Sequence, residues 1–126
     1  MIKIYTTSDK KYEKSIIEKL KKENATLLVL PEFCSGNRMP SELSNYVLKK
    51  TMEHIVNDVD LTIFTYSEIV FYSVRTAIRN MNYSNSIVYY CENDKIIESC
   101  IDKSGRVEKW PKGYFDTIEQ LLLKLI

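Results

Sequence analysis

A chain of 126 residues with 44% hydrophobic and 28% charged side chains has the length of one domain and an ordinary globular composition, which excludes disordered, collagenous and disulfide-scaffold classes. The formal net charge of +1 gives no general hold on nucleic acid, whose affinity comes largely from phosphate neutralisation. No apolar run approaches the ~20 residues that cross a bilayer, and MIKIYTTSDKK lacks a signal-peptide core, so a cytoplasmic protein without membrane contact is expected.

The opening IKIYT alternates apolar and polar residues and predicts a first strand. From Ser8 to Asn24, Tyr12, Ile16, Ile17 and Leu20 share one helical face, and the lysines opposite are interleaved with Glu13, Glu18 and Glu23. That pattern predicts an amphipathic helix with a solvated charged side. The run TLLVL over residues 26–30, apolar from Leu27 on, ends at Pro31 and suits a strand covered on both faces of a parallel sheet. A loop, PEFCSGNRMP, leads to Ser41, the expected N-cap of a helix whose inner face carries Leu43, Val47, Leu48, Met52, Ile55 and Val56. LTIFT predicts a third strand, and SEIVFYSVRTAIRNM a third helix with Val70, Val74, Ala77, Ile78 and Met81 inward. Such alternation argues for a parallel α/β sheet with helices on its faces and right-handed crossovers.

After residue 84 the pattern changes. SIVYYC and KIIESCI flank a polar turn and predict an antiparallel hairpin. A second turn at KSG sends residues 106–110 back as a third strand, and Asp116 or Thr117 caps a final helix with Glu119 as capping-box partner. The chain reads as one domain over 1–126, with an α/β body to residue 84 and a hairpin-and-helix appendage over 85–126. Cys34, Cys91 and Cys100 are odd in number and lack CxxC spacing. In the hairpin, Cys91 faces Ile96 and Cys100 faces Ile87, so all three are expected to be reduced packing residues. His54 has no second ligand at metal spacing.

The stretch VYYCENDKIIESCIDKSGRVEKWPKGYFDT resembles the C-terminal extension of a family of bacterial ABC/SMC/RecF-class ATPases, defence-associated and OLD-like. Their tails end in a glycine turn followed by Trp-Pro-x-Gly-aromatic-Phe-Asp. The matching positions are Gly105, Arg106, Trp110, Pro111, Gly113, Tyr114, Phe115 and Asp116. Upstream, the strand LLVL, the step Pro31-Glu32, the loop end NRMP and the strand end TYSE follow the family's order. The resemblance implies half of an ABC-type ATPase head with degenerate chemistry. Where the family holds a metal-side acid, this chain has Pro31; Glu32 matches the carboxylate that orients attacking water; Tyr66 stands at the switch histidine, two residues before Glu68. No GxxxxGK[ST] occurs, and glycines at 36, 105 and 113 cannot form a phosphate cradle.

The leading expectation is therefore a non-catalytic pseudo-ATPase lobe, lacking the phosphate-loop lobe and needing no cofactor or metal. It would bind a protein partner, an ABC-class ATPase or its effector, as regulator, decoy or inhibitor in phage defence or counter-defence. Tyr66, Tyr72, Arg106, Trp110, Tyr114 and Phe115 are its expected contact residues, since aromatic and arginine side chains dominate interface energetics. One alternative is a Mg²⁺-dependent nuclease or nucleotidase using Glu32 and Glu68, with Asp60. Another is a self-assembling module, a homodimer closing over an open sheet edge and the Leu-rich final helix.

Overall fold

The computed structural model describes residues 1–7, 10–23, 27–29, 40–92, 95–109 and 117–125. Its strands are β1 (Ile2–Thr7), β2 (Leu27–Val29), β3 (Leu61–Phe64), β4 (Ser86–Glu92) and β5 (Lys95–Ile101). Its α-helices are α1 (Glu13–Lys21), α2 (Pro40–Val56), α3 (Glu68–Met81) and α4 (Thr117–Leu125), with a single 3₁₀ turn, Lys10–Tyr12, leading into α1. The strands form one five-stranded sheet in the order β2-β3-β1-β4-β5. β1, β2, β3 and β4 run parallel, and β5 returns antiparallel beside β4. This is the mixed α/β fold expected from the alternating pattern.

Register decides which side chains share a face. Ile4 aligns with Ile63 and Val88, whereas Tyr5 aligns with Phe64 and Tyr89, one residue on and therefore on the opposite face. The first set joins Leu43 and Val47 of α2 and Val70, Phe71, Val74 and Ile78 of α3 in the main core. Tyr5, Phe64 and Cys91 pack with Leu20 of α1, flanked by Ile16 and Ile17, in a smaller core. β1 thus has nearly every side chain buried despite its alternating sequence, because helices cover both of its faces.

The helix ends show why the breaks fall where they do. Ser67, with φ −91° and ψ 126°, caps α3 by accepting from Val70 N at 3.4 Å. Asn82 ends it at φ 53°, a left-handed conformation that asparagine tolerates, and Asn82 N donates to Arg79 O at 3.1 Å. α2 corrects the reading of Ser41 as its cap: the helix already includes Pro40, and Ser41 is its second residue. Proline suits the first helical position because its φ is preset and the missing N–H has no intrahelical partner there. The apolar residues of α2 also divide. Leu43 and Val47 are buried, but Val56 is 68% exposed and lines an outer groove with Leu48 and Met52.

The hairpin has the register expected, with Cys91 opposite Ile96 and Cys100 opposite Ile87. The boundary at 84/85 runs through the sheet, since β4 pairs with β1 along Ile2–Thr7, and the hairpin continues the body's own sheet. The third strand over 106–110 is corrected to one antiparallel bridge, Ile101 to Val107, with Glu108 N donating to Cys100 O at 3.0 Å. Gly105 turns the chain back at φ 83° after Asp102, whose Oδ1 accepts from Ser104 N, Ser104 Oγ and Arg106 N. Those three bonds satisfy the turn's donors within the turn, and the strand beyond is not continued among the described residues. Asp116, half of the capping box, lies outside them.

Candidate functional site

In an open parallel sheet, ligands sit beyond the C-terminal strand ends where neighbouring strands lead to opposite faces. Here β1 leads to α1 on the smaller core and β3 leads to α3 on the main core, and the two strands are adjacent. The switch point therefore lies between the end of β1 and the residues after β3. Thr65 N donates to Tyr5 O at 3.0 Å, holding these two ends together. Thr65 is fully buried, and its Oγ1 accepts from Ser67 N at 3.0 Å. That bond, followed by the Ser67 cap, sets the direction in which α3 leaves.

Two of the sequence-derived positions fall at this edge. Tyr66 stands edge-on to Phe64, ring centroids 6.5 Å apart at 83°, and packs against the smaller core, so its ring is shared between core and surface. Glu68 opens α3, where the positive end of the helix favours a carboxylate. Asp60 does not belong with them. It precedes β3, at the opposite end of the strand, and its Oδ1 accepts from the Met1 ammonium at 2.9 Å. That partner holds its carboxyl below the usual aspartate range. Because Asp60 precedes β3 and Glu68 follows it, the inclusion of Asp60 in a Glu32–Glu68 metal site is corrected. Among the described residues no group of three or more His, Cys, Asp and Glu side chains is placed to hold a metal. His54 instead has Nδ1 3.3 Å from Val59 O, at the end of α2.

Pro31, Glu32, the loop through Pro40's predecessor Met39, Trp110, Tyr114 and Phe115 lie outside the described residues. Tyr72 and Arg106 lie within them, and Arg75, which sequence reasoning missed, links Tyr72 to Gly105, the residue before Arg106. Arg75 places its guanidinium 5.0 Å from the Tyr72 ring and 5.5 Å from the Phe71 ring, and its Nε donates to Gly105 O at 2.7 Å. Gly105 precedes Arg106, so the turn that begins the tail is pinned to α3. Arg75 follows Phe71 by four residues and Tyr72 by three, the spacings at which helical side chains meet, and that was the available signal.

Residues 81–125 match the profile of a family described as a protein of unknown function (DUF3696). The match begins at the last residue of α3 and takes in the hairpin, the Gly105 turn and α4. No curated protein and no solved structure matches the chain. No helix among the described residues is long and apolar enough to cross a membrane.

Proposed function

We propose that this chain is a protein-binding lobe related to ABC-class ATPase heads, acting without nucleotide hydrolysis of its own. Its partner is an ABC-class ATPase or that ATPase's effector, which it regulates, decoys or inhibits. The observation that carries the reading is α4: Leu121, Leu122, Leu123 and Leu125 are 54%, 53%, 68% and 82% exposed within one short helix. Exposed leucines so concentrated mark a surface that another protein covers. This helix lies inside the segment whose likeness to a recurring family is found. The tail resemblance, Gly105 through Asp116, supplies the ATPase class of the partner, and the absence of a phosphate loop in these residues supports a role outside hydrolysis.

The test is affinity purification of the tagged chain from its native cell beside a Leu121→Gln/Leu125→Gln variant. Recovery of an ABC-class ATPase with the native chain and its loss with the variant is the expected result. Equal recovery with both would remove α4 from the interface, and steady ATP hydrolysis by the purified chain alone would overturn the non-catalytic assignment. A metal-dependent hydrolase is the second reading, favoured by the position of Glu68 beside the switch point. It requires Mg²⁺-stimulated cleavage of nucleic acid or nucleotide that is lost in Glu32→Gln and Glu68→Gln.

A further inference from the structure

Between α1 and the β4–β5 hairpin, on the side of the smaller core, lies a pocket of about 200 Å³. Tyr5, Ile16, Leu20 and Ile96 give it apolar walls, and Lys19 from the helix and Lys95 from the hairpin complete its lining with two cationic side chains. Its position follows from the fold: a single described helix covers this face, and the hairpin extends past it.

Three features narrow the occupant. The volume is below the ~300 Å³ at which pockets for drug-sized ligands begin, which limits the occupant to about one ring. Tyr5 is stacked on Tyr89, centroids 4.5 Å apart at 18°, so the aromatic wall is held flat. Lys19 and Lys95 are exposed, and neither forms an ion pair among the described residues. The carboxylates of Glu23 and Glu98 are close enough to act on Tyr5, yet neither lines the pocket.

We propose that this pocket binds a small anion with one flat apolar ring, of the aromatic monocarboxylate class. The ring lies against Tyr5 and the carboxylate between Lys19 and Lys95. Cys91, 8% exposed, lines the same space and reports on its occupancy. Leu121, Leu122, Leu123 and Leu125 of α4 are not among the residues that line it.

The experiment is a titration of the ¹⁵N-labelled chain with benzoate, and in parallel with benzyl alcohol, a neutral molecule of similar shape. A ligand of this size binds with a Kd on the order of 1 mM. Benzoate is expected to give saturable amide shifts at Tyr5, Ile16, Cys91 and Ile96. Binding should be about tenfold weaker for benzyl alcohol and for the Lys19→Gln/Lys95→Gln variant, as expected from loss of two exposed ion pairs. Both lysines are exposed, so the variant retains its fold, and Cys100→Ser, outside the pocket, binds as the native chain does. Equal binding of benzyl alcohol, unchanged affinity in the double-lysine variant, or no saturable shift with benzoate would each overturn the proposal.

Discussion

Gly105 shows how a single position can be fixed twice. Its φ of 83° disfavours any L side chain, and a Cβ there would stand 2.7 Å from Arg75 O, a backbone atom held in α3. Gly105→Ala is therefore expected to lower stability by about 2–3 kcal/mol, read as a fall in the urea midpoint. The left-handed turn is legible in KSG, but the approach of Arg75 is not, because it joins residues thirty positions apart. Asp102 beside it has its carboxyl held below the usual aspartate range by the hydrogen bonds from Ser104 and Arg106. A depressed carboxyl contributes stability above its unfolded value, ~4, and loses it as pH falls through the folded one. Asp102→Asn should thus show a shallower loss of stability on acidification than the native chain. Tyr5 works in the other direction, pushed up to about 12 by burial and then by the Glu23 carboxylate. Its contribution is present below the ordinary tyrosine value, ~10, and is lost as pH rises towards the folded value. Tyr5→Phe should remove part of the alkaline fall in thermal stability; Tyr83, Tyr89 and Cys91, raised mainly by burial, contribute to it as well.

At the scale of elements, helices were read from the sequence more securely than their ends. The apolar faces of α1 and α3 were visible because 3.6-residue periodicity is a property of the segment itself. Phe71 and Ser73 escaped that reading, since α3 is flanked by both the sheet and α2 and buries a wider arc than one stripe. Ser73 Oγ donates to Ile69 O at 2.7 Å and lies 2.9 Å from Ser44 Oγ, so its burial leaves no unmet hydroxyl. The caps compete locally. Ser41 had the right chemistry, but Pro40 moved the start of α2 before it, whereas Ser67 found Val70 N in range. Ser67→Ala is expected to cost about 0.5–1 kcal/mol, the lower part of the capping range, because that bond is long. α4 makes the opposite prediction. Leu121→Gln/Leu125→Gln should change the stability of the isolated chain by no more than about 0.5 kcal/mol, because both side chains are mostly exposed, while abolishing the proposed partner binding.

Across the whole molecule, the sheet stands between unequal cores, and among the described residues α1 is the helix on the smaller one. Leu20, 1% exposed, is its buried anchor, and Leu20→Ala should cost about 2–4 kcal/mol, measured by thermal or urea unfolding. The order of strands and helices was legible because each segment carries its own periodicity. The β4–β5 hairpin was legible too, but which parallel strands lie side by side was not, because that pairing depends on crossovers that no local pattern records. The switch-point edge was legible only in part: Glu68 follows from strand-end position, but the exclusion of Asp60 required knowing which end of β3 it occupies. The central place of β1 has a further consequence for vectorial synthesis. Its neighbours are residues 61–64 on one side and 86–91 on the other, so β1 has no described ladder partner until β3 has been made. Both edges of β1 stay open during that interval, and the sheet closes late around a segment made well before its neighbours.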